Sequence, residues 1–145
     1  MNVLMIGDVV GPEATTWLAG CLPNLRQEYA VDLVIVNAEN CAVTASTPWA
    51  GFGMTRALVE LLLGSIPAVV TSGNHGWDGP ESEAVHRHPR VLRPLNMPPN
   101  TLGRRDDVLE GVSEKLAGKA MRLEQLTGPA QDLIVLVDDG RVALS

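Results

Sequence analysis

Asp8, Glu39, Asn40, Asn74 and His75 are of the right chemical types to hold divalent cations against a phosphate ester. Hard divalent ions prefer carboxylate and amide oxygens, and manganese, iron and zinc also accept imidazole. Asp8 and Glu39 would bring charge, and Asn40 and Asn74 neutral oxygens. A carboxylate can bridge two ions about 3.5–4 Å apart, and such a pair lowers the pKa of a bound water and clamps the phosphate. His75 directly follows Asn74, so it would reach a leaving-group oxygen as an acid, or donate to a phosphate oxygen. Each cluster also has a plainer reading. Asp8 suits a helix N-cap or a turn, Asn37-Ala38-Glu39-Asn40 an ordinary turn, and Gly73-Asn74-His75 a loop with a surface histidine.

The elements around these residues argue for the joint reading. The apolar run 2–7 suits a central parallel strand, buried from both sides. Residues 12–29 carry Trp17, Leu18, Cys21, Leu22, Leu25 and Tyr29 at helical spacing, with Pro12 in the first turn. Gly20 and Pro23 predict a kink or break near Pro23. A second strand spans 31–36. Thr55 caps a helix over 56–63 with Leu58, Leu61 and Leu62 as its stripe, and a third strand covers 67–72. A long segment, 41–54, and a turn-rich loop, 73–80, separate these elements. A helical turn is expected over 81–88, a fourth strand over 91–95 and a Pro/Gly-rich loop over 97–105. Beyond 106 the pattern suits a hairpin or a helix, then a strand over 132–138 and a turn at Asp139-Gly140. Alternating strands and helices predict an α/β fold, a mainly parallel sheet flanked by helices. Ligands of such sheets bind at the carboxyl ends of the strands. Gly7-Asp8, Asn37-Ala38-Glu39-Asn40 and Gly73-Asn74-His75 all end strands, so the topology would gather them on one rim.

Composition narrows the alternatives. The 145 residues make one domain, 46% hydrophobic and 19% charged, a globular balance. A net charge of −6 argues against a broad grip on duplex nucleic acid, though a bound metal would still allow a small nucleotide. No apolar run is long enough for a membrane span and no leader precedes the first strand, so a soluble, cytoplasmic protein is expected. Cys21 and Cys41 have neither zinc-knuckle nor redox spacing and read as free thiols. His86 and His88 read as surface residues, and Arg104-Arg105 as a solvated pair. Gly7-Asp8-Val9-Val10-Gly11 lacks both the dinucleotide glycine pattern and the lysine of a P-loop.

Taken in order, Gly7–Gly11, Asn37–Asn40, Gly51-Phe52-Gly53-Met54-Thr55, Gly73-Asn74-His75-Gly76-Trp77-Asp78 and Leu92-Arg93-Pro94-Leu95-Asn96 resemble the YmdB-type branch of the calcineurin-like metallophosphoesterases. Pro98-Pro99-Asn100-Thr101-Leu102-Gly103-Arg104 continues the resemblance, which covers about residues 1–105 and leaves 106–145 divergent. It implies a two-metal phosphodiesterase whose typical substrates are 2′,3′-cyclic nucleotides. By it, Asp8 and Asn40 ligate one metal, Glu39 bridges both, Asn74 binds the second, and His75 is the general acid. The cofactors implied are two divalent ions, with Fe, Mn, Mg and Zn undistinguished. The segment 43–50 departs from the family as an insertion, and the loop after Asp78 is shortened. The family completes its site with three histidines in its second half, whereas this sequence has none after His88 and reaches Ser145 first. Asp138 or Asp139 is an oxygen ligand in their stead or simply a turn residue. The family fold is a two-sheet sandwich, and much of the second sheet is expected to be missing.

Three functions follow. One is a metal-dependent phosphodiesterase acting on a small phosphate ester or nucleotide. The alternative is a catalytically impaired remnant that binds metal or nucleotide without turnover. The third is an oligomerising domain, since an incomplete sheet exposes an apolar edge that invites homo-oligomer formation.

Overall fold

The computed structural model describes residues 2–44, 52–64, 68–94, 96–109, 121–125, 133–137 and 140–142, with backbone pairing alone from 106 onward. The first half is built around β-branched runs. β1 (Val3–Ile6), β2 (Leu33–Asn37), β3 (Ala68–Thr71) and β4 (Val91–Leu92) form a parallel sheet in the order β1-β2-β3-β4. The register pairs Val3 with Leu33, Val34 with Ala68 and Val70 with Val91, so the strand ends stay level. Because successive side chains alternate, Val34, Val36, Ala68 and Val70 point to one face and Leu33, Ile35 and Val69 to the other. Both sets are buried, as expected of strands covered on both sides.

The first set joins the main core with Leu18, Ala19 and Leu22 of α1 (Pro12–Glu28) and Val59, Leu62 and Leu63 of α2 (Arg56–Gly64). Pro12 occupies the first turn of α1, where a missing N–H costs nothing. Pro23 does not break α1, which runs on to Glu28; its exposed ring lies away from the core. Thr55 caps α2 as expected, its hydroxyl accepting the Leu58 N–H at 3.4 Å.

Two expectations need correction. β1 is an edge strand of this sheet, not a central one, and Met5 is 48% exposed. Its apolar run reflects the packing of Leu4 and Ile6 against the core cluster, with no second strand partner among the described residues. The fourth strand is also shorter than 91–95, although Arg93 N–H still donates to the Arg104 carbonyl at 2.8 Å and Leu92 bridges Arg104 in parallel. Leu95 lies outside the described residues.

The second half resolves the choice between hairpin and helix. β5 (Asp106–Leu109), β6 (Met121–Gln125), β7 (Leu133–Val137) and β8 (Gly140–Val142) form an antiparallel sheet in chain order. Leu109 pairs with Met121, Gln125 with Leu133 and Val137 with Gly140. A second sheet is thus present, with four strands among the described residues. Residues 114–117, Asp138 and Asp139, which carried further expectations, lie outside the described residues.

Candidate active site

The carboxyl ends of β1, β2 and β3 meet as the topology requires. Val9 N–H donates to the Asn37 carbonyl at 2.9 Å, and Gly11 N–H to the Asn40 carbonyl at 3.1 Å. On the other side Ala38 N–H donates to the Thr71 carbonyl at 3.1 Å. The Asn37 side chain accepts the Glu39 N–H at 3.1 Å, an Asx turn that bends the chain so that Glu39 faces the third strand end.

These backbone ties bring the polar side chains together. Asn40 Nδ2 donates to Asp8 Oδ1 at 2.7 Å. Glu39 Oε2 accepts the His75 N–H at 3.2 Å. Glu39 is only 5% exposed and Asn40 9%, whereas Asp8 is exposed. Gly73 makes room for the Glu39 carboxylate: a Cβ there would collide with it. Asn74 stands exposed at the head of a short 3₁₀ turn, Asn74–Trp77. The structure therefore pairs Asn40 with Asp8 and His75 with Glu39 through hydrogen bonds, joins the two pairs through the Glu39–Asn40 peptide and sets Asn74 beside them through the chain.

Two features of this cluster would suit a cation. Burying a carboxylate without a charge partner is costly, and among the described residues neither Asp8 nor Glu39 forms an ion pair. Asn40 Oδ1 is a buried acceptor with no donor, the only such side-chain atom among the described residues. Its amide nitrogen is spent on Asp8, so the oxygen is left free for a ligand. The donor set is all oxygen, which suits a hard divalent ion. Among the described residues no group of three or more His, Cys, Asp and Glu is arranged to hold a metal, so an ion held here would need the asparagine oxygens as well.

His75 has a built environment that sequence reasoning missed. Its Nδ1 donates to Asp78 Oδ2 at 2.7 Å, and its ring stacks on Phe52 at a centroid distance of 4.2 Å. The bond to Asp78 fixes the tautomer and leaves Nε2 as the atom that can exchange a proton. Asp78 and Phe52 both fall inside the quoted motifs, and the spacing His-x-x-Asp on a single turn was the available signal. Phe52 is carried by Gly53, whose φ of +102° and approach to Gly79 N, 2.9 Å from an added Cβ, exclude any other residue.

Other expectations separate here. His86 is not a surface residue: it is 1% exposed, its ring packed 3.9 Å from Trp77 in a parallel stack. Its neighbours Arg87 and Pro89 had suggested an exposed position, but α3 (Ser82–His86), the helical turn expected over 81–88, turns His86 inward beside Val85. His88 is half-buried and 3.9 Å from Glu60. Arg104 and Arg105 are exposed. Cys41 is completely buried and burial pushes its thiol up to about 11, so it is no nucleophile. No helix among the described residues is long and apolar enough to cross a membrane.

A parallel sheet flanked by helices, with carboxylates, asparagines and a histidine gathered on its carboxyl rim, defines a protein of metallophosphoesterase type. The chain belongs to the YmdB-like protein family, which matches residues 4–129. It is 29% identical over 140 residues to a 2′,3′-cyclic-nucleotide 2′-phosphodiesterase of Bacillus subtilis, covering 96% of this chain and 50% of that protein. A hypothetical protein from Thermus thermophilus superimposes with a TM-score of 0.71 at 35% identity, covering 92% of this chain and 48% of that one. A phosphatase from Mycoplasma pneumoniae superimposes with a TM-score of 0.70 at 25% identity, covering 97% and 46%. The chain thus spans about half the length of the relatives it matches.

Proposed function

We propose that the chain carries the oxygen-ligand half of a divalent-metal phosphodiesterase site, acting on small phosphate esters such as 2′,3′-cyclic nucleotides. The observation that carries this reading is the donorless, buried Asn40 Oδ1 beside the buried Glu39 carboxylate and Asp8. Asp8 and Asn40 would hold one ion, Glu39 would reach both, and Asn74 would hold the second. When bound, the ions supply Lewis-acid stabilisation of the phosphate and an activated water. The chain's own residues do the rest. Asp78 keeps His75 Nδ1 occupied, so Nε2 faces the leaving group and delivers a proton to its oxygen. The Phe52 ring against His75 limits its rotation and shields one side from water. The B. subtilis relative supports the cyclic-nucleotide substrate class.

The test is hydrolysis of bis(p-nitrophenyl) phosphate and 2′,3′-cyclic AMP with manganese, iron or zinc in excess. His75→Ala is expected to lower turnover by about 10²–10⁴-fold. Folded protein that turns over neither substrate with any of these ions overturns the reading.

A second reading is favoured by the absence of any three-membered His, Cys, Asp and Glu group among the described residues. It is a module that binds metal or nucleotide without turnover. Calorimetry separates the two: binding unaffected by His75→Ala, with no hydrolysis, supports the second.

A further inference from the structure

The turn that presents Asn74 and His75 is only four residues long, and no side chain caps its start. A 3₁₀ turn of that length has little stability of its own. Something outside the turn must hold it, and the structure shows a buried cluster directly behind it. Ser72, the residue before Gly73, is fully buried and its Oγ lies 3.1 Å from His86 Nε2. His86 Nδ1 lies 2.8 Å from the Ser82 carbonyl, which can only accept, so the ring carries its proton on Nδ1. Nε2 is then an acceptor, and the single Ser72 hydroxyl proton is shared between it and the Leu92 carbonyl, 3.2 Å from Oγ. The face of the same ring stacks on Trp77, the last residue of the turn, at 3.9 Å and 15°.

Packing leaves this cluster no slack. A Cβ at Gly76 would stand 2.9 Å from Ser72 Cβ and 3.2 Å from His86 Cε1. A Cβ at Gly103 would stand 3.2 Å from His86 Cδ2 and 3.4 Å from Arg93 Cδ. Arg93 is itself buried, with Nε donating to the Gly103 carbonyl at 3.1 Å and Nη1 to that of Pro94 at 3.1 Å. The imidazole is therefore clamped between the turn and the 101–105 segment. Ser72 and His86 cannot themselves be a nucleophile and base, because neither reaches solvent or substrate.

We propose that Ser72, Trp77 and His86 form a brace that sets the position of Asn74 and His75, which makes His86 a positioning residue for the site although it lies on a different element. The brace grips both ends of the turn, one through the Ser72 hydroxyl and the other through the Trp77 ring. Loss of the imidazole nitrogens would let the turn shift relative to Glu39, whose carboxylate accepts the His75 N–H. The inference rests on the proposed function only where it assigns Asn74 to a metal and His75 to proton transfer.

The experiment compares wild type, Ser72→Ala, His86→Phe and His86→Gln. His86→Phe keeps a ring against Trp77 and loses both nitrogen bonds, and His86→Gln returns an acceptor to Ser72. Amide and imidazole resonances of residues 74–78 are recorded in the metal-free protein, and Mn²⁺ affinity is measured by calorimetry well below the melting temperature. Expected are shifted His75 and Gly76 resonances and an affinity lowered about tenfold in Ser72→Ala and His86→Phe, partly recovered in His86→Gln. A purely structural role would lower the melting temperature and leave both readouts in place, and that result overturns the proposal. Should His86→Phe not fold, Ser72→Ala decides alone. Wild type that binds no Mn²⁺ while the resonances move as expected would sink the proposed function and leave the brace standing.

Discussion

Asp78 and His86 are two residues whose importance comes from what they touch. The Asp78 carboxylate holds one histidine in one orientation at 2.7 Å. Asp78→Asn keeps the size and an acceptor but removes the charge, and kcat/KM for bis(p-nitrophenyl) phosphate should fall about tenfold or more with the fold intact. An unchanged kcat/KM would show that His75 needs no such support. His86 makes a prediction about pH. Burial lowers its pKa below the ordinary value, the Ser82 carbonyl opposes that shift and the Arg93 charge adds to it. The unfolded chain takes up a proton below about pH 6.5, which the native state declines until a lower pH. The contribution is therefore fully present above that value and is lost as pH falls toward the folded pKa. Urea midpoints at pH 7.5 and 5.0 should drop more in wild type than in His86→Phe; equal drops would show that His86 takes no part in acid sensitivity.

At the scale of elements, α1 carries a cost in its own sequence. Pro23 lies inside the helix, where it cannot donate to the Ala19 carbonyl one turn back. Its ring is exposed, so nothing is lost from the core on replacing it. Pro23→Ala should stabilise the domain by about 1–3 kcal/mol, less whatever the proline contributes by stiffening the unfolded chain. A urea midpoint that stays put or falls would mean that the proline serves the surrounding turn. The same element shows why the expected break did not form: Leu18, Ala19 and Leu22 before Pro23 are bound into one core with α2, and tertiary packing outweighs one lost hydrogen bond. At β4 packing settles the length the other way, since Arg93 turns from the β3 ladder to the Arg104 carbonyl.

For the molecule as a whole, the polar rim stores unfavourable free energy that a ligand would release. A cation that binds only the native state stabilises it by about 2.7 kcal/mol at a hundredfold excess over Kd. With the slope usual for a domain of this size, Mn²⁺ should raise the melting temperature by roughly 5–10 °C. Asp8→Ala and Glu39→Ala should abolish that rise, and a rise that persists in both would remove the proposed site. With this chain matching about half the length of its relatives, the experiment tests the part of the site that these residues hold.

The alternation of apolar runs and helical stripes was enough to place β1, α1, β2, α2 and β3, because each must bury a face whose period is set by the backbone. The same runs end in Asp8, Glu39, Asn40, Asn74 and His75, so the residues of the proposed site are legible one motif at a time. Their hydrogen bonds were not, because Asn40 to Asp8 and His75 to Glu39 join residues from different strand ends. Nor was the burial of His86: its charged neighbour Arg87 and nearby Pro89 suggest a surface position, and only the packing of Trp77, Gly76 and Gly103 around the ring turns it inward. Periodicity along a chain reports which faces are apolar. Which polar groups lose their water and must find one another is decided by contacts that exist only once the elements are packed.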